Sequence, residues 1–292
     1  EIWISEAQER MVMAVPAGNV EHLAEICKAH GVEWCDLGVF GTPDRELILH
    51  FDGVEVGRLS MEFMHDGVPM SVRTAVWDPA YAASQAGQTS PDTPPSSTAL
   101  TDFRAATLAL LAHPNIASKA WIIRQYDHEV QGGSVIKPFA GPKAGPMDAA
   151  VIRPNLSSTK ALAIGNGLAT GLARDPYVMG LAAIDECVRN LVCVGADPSR
   201  IAILDNFCWP SCGDERTLGS LVRAAEACLD GGLAYRTPFV SGKDSLSNQF
   251  QTDDGRTIRV PPTLLISGIG IVPDEALARS MDLKRPGNSL LL

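Results

Sequence analysis

Glu186 and Asn190 stand four residues apart in a segment, 180–198, whose remaining side chains are largely apolar. In a helix that spacing puts both on one face. A carboxylate and an amide stacked in this way offer hard oxygen ligands suited to Mg²⁺, and a surface hydrogen-bonding pair uses the same pattern. Asp185 and Arg189 repeat the spacing one position round, while Ala182, Ala183, Val188, Leu191 and Val192 supply the apolar surface that docks the helix in a core.

Two further clusters follow apolar runs. Asp205 and Asn206 come directly after 201–204, and Gly242-Lys243-Asp244-Ser245 comes after Phe239-Val240, so both are predicted at carboxyl ends of strands, where open α/β sheets hold ligands. Gly242 permits close backbone approach, Lys243 supplies a cation and Ser245 a hydroxyl, which together suit phosphate. The preceding glycine of a phosphate-binding P-loop is missing, and a polar turn leaving a strand has the same composition. Asp148 lies between a loop rich in glycine and proline, 141–147, and the apolar run 149–152, where a carboxylate can equally end a strand. Were that loop to fold beside Glu186 and Asn190, three oxygen ligands would converge, enough to hold Mg²⁺ carrying a nucleotide's phosphates. Cys208 and Cys212 are spaced as half a metal site, but no matching Cys or His pair lies near them.

The elements that must position these groups fall into three regions. Residues 1 to about 75 read as strand, helix, strand and hairpin: an apolar run at 11–15, a helix over 20–30 with Asn19 as N-cap, and strands at 47–51 and 54–59 around a Gly53 turn. Residues 79–100 are rich in Ser, Pro, Thr, Ala and Gln and read as linker, with a helix over 102–112 after it. From 119 onward the pattern predicts strands at 149–152, 161–164, 201–204, 239–240 and 263–272, a helix over 216–234 besides the one already described, and a hairpin at 253–256. That order implies a mixed sheet with helices packed against it. The opening Glu1-Ile2-Trp3-Ile4 is strand-like and the end reads as a turn entering a strand, so the chain is expected to be an internal piece of a longer protein.

With 292 residues, 46% hydrophobic and 20% charged, the chain has the composition of a globular protein of one large or two ordinary domains. A formal charge of −10 disfavours non-specific nucleic-acid binding, although local amides, cations and metal can still hold a small anion. The absence of any apolar window of about eighteen residues argues against a membrane span. Seven cysteines, an odd number scattered through apolar contexts, suit a reducing cytosol, so a cytoplasmic location is expected.

Ser5-Glu6-Ala7-Gln8-Glu9-Arg10-Met11, Arg124-Gln125-Tyr126-Asp127-His128-Glu129-Val130, Asp185-Glu186-Cys187-Val188-Arg189-Asn190, Leu204-Asp205-Asn206-Phe207-Cys208-Trp209 and Pro238-Phe239-Val240-Ser241-Gly242-Lys243-Asp244-Ser245-Leu246 resemble, in order and spacing, successive motifs of the synthetase subunit of the phosphoribosylformylglycinamidine synthase family. The resemblance covers nearly the whole chain. It implies an α/β and α+β fold, a pseudo-dimeric ATP-binding synthetase architecture with mixed sheets flanked by helices. Residues 1–78 would end the first half's C-terminal α+β domain, 79–118 would be linker with a helix, 119–272 the second half's nucleotide-binding α/β domain, and 273–292 the start of its last domain. The implied activity is ATP-dependent conversion of formylglycinamide ribonucleotide to formylglycinamidine ribonucleotide in purine biosynthesis, through an iminophosphate. Ammonia would come from a glutamine amidotransferase, as a separate subunit or a fused domain.

Carried over by position, Glu6, Ala7 and Gln8 resemble the family's substrate-binding tripeptide and Ser245 its substrate-contacting serine. Asp205 and Gly242 match ATP-contacting positions of the shorter members. Asp148, Glu186 and Asn190 match Mg²⁺ ligands of the longer members, which hold a second, structural ADP or ATP to which Met147 would offer its backbone. Lys243 stands where the shorter members place an Asn; an ammonium cannot coordinate Mg²⁺, so Lys243 is expected to contact phosphate directly and replace some of the metal's charge. No catalytic residue is assigned, because the family's catalytic histidine and its main glycine-rich nucleotide segment would lie upstream of Glu1, and the chain is expected to be inactive alone. His128, flanked by carboxylates, is left without a role. Two alternatives stand beside this: a non-catalytic nucleotide-binding module, and another ATP-using synthetase of the same superfamily, against which the long linker counts.

Overall fold

In the computed structural model, residues 5, 10–85, 102–125 and 129–289 are described. Their contacts separate two units, Glu1–Val72 and Arg73–Leu292. In the first unit, helix α1 spans Val20–His30 and ends at Gly31, whose left-handed φ of 65° lets Val32 N–H reach the Cys27 carbonyl. Asn19 does not cap it: the residue closes a preceding 3₁₀ turn, and its side chain makes no capping bond. Strands β1 (Glu46–Phe51) and β2 (Val54–Ser60) form the expected antiparallel hairpin, and Ser60 caps the short helix α2 (Met61–Asp66). The apolar run at 11–15 forms no strand; no partner lies alongside it among the described residues, and Met11 is 88% exposed.

The second unit begins with three helices, α3 (Pro79–Gln85), α4 (Phe103–Ala112) and α5 (Ala120–Ile123). Asp102 caps α4 by accepting from Ala105 N–H. There follow β3 (Ser134–Ile136), the small hairpin β4 (Phe139–Ala140) and β5 (Gly145–Pro146), β6 (Ala150–Ile152), β7 (Ala161–Leu168), α6 (Pro176–Cys193), β8 (Ile201–Cys208), α7 (Glu215–Tyr235), β9 (Phe239–Ser245), the hairpin β10 (Gln249–Gln251) and β11 (Thr257–Arg259), and β12 (Thr263–Val272). Six strands make one sheet in the order β3-β6-β7-β12-β8-β9, antiparallel throughout except for the parallel pair β8 and β9. This is the mixed sheet that the element order implies.

Alternation within the strands decides what the sheet buries. Ala161 and Ala163 of β7, Ile201 and Ile203 of β8, and Leu264 and Ile266 of β12 turn into the core, against Met179, Ala183, Ile184, Cys187 and Leu191 of α6. Burying each isoleucine, leucine or methionine among them contributes about 1.5–3 kcal/mol. Helix α6 starts where Asp175 accepts from Tyr177 N–H and Pro176 occupies the first turn; α7 starts where Asp214 accepts from Arg216 and Thr217. A Cβ on Gly167 would fall 2.0 Å from the Ala183 carbonyl, so the backbone of α6 lies directly upon β7 and only glycine fits beneath it.

Two departures from the expected organisation concern candidate residues and the boundary expected at residue 78. Strand β8 runs on to Cys208 and β9 to Ser245, so Asp205, Asn206 and the Gly242-Lys243-Asp244-Ser245 group lie inside paired strands rather than in turns after them. Residues 73–85 lie with the second unit: Val76 N–H donates to the Glu215 carbonyl, Arg73 to that of Cys212, and Tyr81 Oη is 2.8 Å from Thr217 Oγ1.

Candidate functional site

The close seat of α6 on β7 brings Glu186 and Asn190 to a stretch of open strand edge. Strand β6 pairs with β7 only as far as Ala150 opposite Ile164, which leaves the edge at Asn166 and Leu168 without a strand partner on that side. Glu186 Oε2 accepts from Leu168 N–H at 2.7 Å, and Asn190 Nδ2 donates to the Asn166 carbonyl at 2.9 Å. These two bonds leave Glu186 Oε1 and Asn190 Oδ1 free for a ligand. Ala149, in the bend just before β6, lies within contact distance of a Cβ placed on Gly165, as does Asn190, and Asp148 precedes it in that bend. Glu186 and Asn190 thus share one strand edge, and the bend that carries Asp148 adjoins it through Ala149. The amide of Met147 is not available there, since it donates to the Pro138 carbonyl at 3.0 Å; only its carbonyl could meet a nucleotide.

As a donor set, this edge fits a hard divalent cation: two carboxylates and an amide oxygen, all of them exposed or half-buried. Among the described residues no three His, Cys, Asp or Glu side chains come together, so the amide oxygen of Asn190 is needed to complete any such set. Cys208 and Cys212 form no metal half-site, each thiol being directed to a different oxygen, Asn206 Oδ1 and the Pro210 carbonyl.

The second cluster lies across the parallel pair. Asp205 is in register with Gly242, and Asn206 with Lys243. Alternation then puts Asp205 and Gly242 on the helix-covered face with Ile203 and Phe207, and Asn206, Lys243 and Ser245 on the other. Burial pushes the Asp205 carboxyl above its usual range, the charge of Asp244 adds to that, and the N–H groups of Asp205 and Lys243 partly offset it. On the opposite face Lys243 Nζ donates to Ser245 Oγ at 2.9 Å. The Ser245 carbonyl accepts from Trp209 N–H at 2.8 Å and Asn248 Nδ2 at 2.9 Å, which fixes the end of β9.

Glu6, Ala7 and Gln8 lie outside the described residues, as does His128. The contribution of Asp244 to the charge around Asp205 was not foreseen from sequence, although its place in the Gly-Lys-Asp-Ser group was the available signal.

Two family descriptions match the chain: AIR synthase related protein, C-terminal domain, over residues 1–49, and AIR synthase related protein, N-terminal domain, over residues 146–272. Similarity to curated relatives runs along the whole length. A phosphoribosylformylglycinamidine synthase subunit PurL of Synechococcus is 30% identical over 302 residues, covering 100% of this chain and 38% of the relative. Over these two stretches the chain is similar to AIR synthase-related proteins.

Along its length it is PurL-like. A second Synechococcus PurL is 35% identical, covering 94% of this chain and 37% of the relative, and that of Thermococcus gammatolerans is 31% identical, covering 95% and 35%. The chain therefore spans only 35–38% of the length of these three relatives. Among solved structures, T. maritima PurL complexed with ATP superposes with a TM-score of 0.57 over 94% of this chain and 39% of that one, at 20% identity, a likeness of fold. The ADP complex gives 0.56 over 90% and 37%, at 18% identity.

Proposed function

We propose that this chain is part of a synthetase that converts formylglycinamide ribonucleotide to formylglycinamidine ribonucleotide at the expense of ATP, with ammonia released from glutamine by an amidotransferase partner or domain. What carries the reading is similarity along the entire chain, at 30–35% identity, to proteins that share one name, phosphoribosylformylglycinamidine synthase subunit PurL. The order of the two family matches, a C-terminal-type domain ahead of an N-terminal-type one, supports an end of one half followed by the nucleotide-binding domain of a second, with residues 73–78 lying in the second unit rather than the first.

The chemistry follows from the substrate. An amide oxygen is a poor leaving group; transfer of the γ-phosphoryl group of ATP to it makes an iminophosphate, and ammonia then displaces phosphate. Positioning and charge neutralisation dominate such transfers. In this scheme Glu6, Ala7, Gln8 and Ser245 contact the ribonucleotide, and Asp205 and Gly242 the nucleotide. Asp148, Glu186 and Asn190 would hold Mg²⁺, which when bound neutralises nucleotide phosphates. Glu186 and Asn190 are braced for that by the bonds their other atoms make to the β7 backbone. Gly242 leaves room for the Asp205 carboxylate, which a side chain there would displace.

The test is phosphate release from ATP by the complete synthetase with ammonia supplied directly. Release should require formylglycinamide ribonucleotide and yield the amidine one for one. Turnover that ignores this ribonucleotide, or that requires formylglycinamidine ribonucleotide instead, would overturn the proposal in favour of another synthetase of the superfamily. A second reading, a nucleotide held at the β7 edge without turnover, is supported by the Glu186 and Asn190 geometry alone; ADP that stays bound and unchanged through many catalytic cycles would support it.

A further inference from the structure

We propose that Lys243 is a positioning residue for Ser245, fixing the direction in which the serine hydroxyl donates. The inference rests on the substrate role proposed above for Ser245. On β9 the two side chains are two residues apart and leave the same face, and Lys243 Nζ donates to Ser245 Oγ at 2.9 Å. An ammonium has donors only, so Ser245 Oγ must accept from it. The serine's own O–H is thereby turned outward, as a donor to a ligand oxygen.

The surroundings favour this geometry over a freely solvated lysine. Among the described residues Lys243 makes no ion pair, and the nearest carboxylates in register, Asp205 and Asp244, belong to the opposite face of the sheet. Opposite Lys243 stands Asn206, whose Oδ1 accepts from the Cys208 thiol at 3.7 Å, leaving its amide N–H groups facing the same side as Nζ and Oγ. The main chain below is fixed, because the Ser245 carbonyl accepts from both Trp209 and Asn248. The face is accordingly a set of donors suited to an acceptor-only group such as a phosphate or amide oxygen of the ribonucleotide. Lys243 belongs on this reading to the ribonucleotide side, rather than to the phosphates of ATP.

Steady-state kinetics of the complete synthetase with ammonia separate the possibilities, comparing Lys243→Met, Lys243→Arg, Ser245→Ala and the Lys243→Met/Ser245→Ala double variant. Lys243→Met and Ser245→Ala should each raise KM for the ribonucleotide roughly tenfold, the loss of one charge-linked hydrogen bond, with KM for ATP unchanged within about twofold. The double variant should be no worse than the worse single one, because the two side chains act as one unit. Lys243→Arg keeps a cationic donor and should recover most of the loss. Additive effects in the double variant, or a rise confined to KM for ATP in Lys243→Met, would overturn the proposal. An effect of Ser245→Ala without one of Lys243→Met sinks the positioning role alone, whereas no effect of Ser245→Ala on either KM removes the substrate role on which it rests. Both side chains sit at the surface end of β9, so matching thermal unfolding of all four variants is expected and checks that the fold is retained.

Discussion

Gly242 lies in register beside Asp205 across the parallel β8–β9 pair, so close that a Cβ on the glycine would be 2.5 Å from Asp205 Oδ1. What such an atom would meet is the free end of a side chain, not backbone. Gly242→Ala should therefore be accommodated by rotation of the carboxylate, at a stability cost below about 1 kcal/mol. If Asp205 meets the nucleotide, the same change should weaken ADP binding about tenfold, the value of one charged hydrogen bond. Calorimetric titration beside a melting curve reads both quantities; unchanged affinity with an unchanged Tm would take Asp205 out of the nucleotide site.

Asp205 also makes a pH prediction. Burial, with the charge of Asp244 behind it, raises its carboxyl above the ordinary range. A raised acid favours its neutral form in the folded state, so its contribution to stability is full below the ordinary carboxylate range and is lost as pH rises through the raised value. Asp205→Asn should melt higher than the parent at neutral pH, and the gap should close on acidification. A gap that widened in acid would mean that Asp205 is stabilised as the anion.

Strands such as β12 and helices such as α6 and α7 were legible because their apolar periodicity is a property of the segment itself. Strands β8 and β9 were read too short for a related reason. Asp205, Asn206 and Lys243 are polar and look like turn residues, yet they are extended because β12 and β8 pair with them laterally, Asp205 with Ile266 and Asn206 with Lys243. The i, i+4 relation of Glu186 and Asn190 was visible, and so was the Arg189–Asp185 pair that forms at 2.6 Å. Their anchoring to Leu168 and Asn166 was not, since it spans 18 and 24 residues and depends on a glycine that admits the helix backbone. Pairings at such separations have no local signature.

The Arg223–Asp175 pair belongs to the same class and offers a stability test. Arg223 donates from Nε and Nη2 to the two oxygens of Asp175 at 2.6 and 2.8 Å, and its guanidinium lies 4.8 Å from the Trp77 ring and 5.2 Å from that of Tyr177. Lysine can reproduce neither the two-pronged bond nor the stacking, so Arg223→Lys should cost roughly 1–2 kcal/mol at neutral pH. The hydrogen bond from Arg223 is the main reason that the Asp175 carboxyl is held below its usual range. A lowered acid stabilises above its ordinary range and loses that contribution as pH falls through the lowered value, so the difference between parent and variant should shrink in acid. A constant difference across that range would assign the cost to the aromatic contacts alone.

Glu186 carries two separable roles, and two substitutions divide them. Its Oε2 accepts from Leu168 N–H, a bond that the amide oxygen of glutamine can also make. Glu186→Gln should thus keep stability within about 0.5 kcal/mol, while removing the negative charge that a divalent cation requires. Glu186→Ala leaves the strand amide without its partner at an exposed edge, where water replaces much of the bond, for a cost of about 1 kcal/mol. Both variants should lose the Mg²⁺-dependent part of ADP affinity, and they should differ only in Tm. Calorimetric titration of ADP with and without Mg²⁺ decides the matter: if Glu186→Gln binds as tightly as the parent and with the same metal dependence, Glu186 is a clamp between α6 and β7, and the cation, if one binds, is held elsewhere.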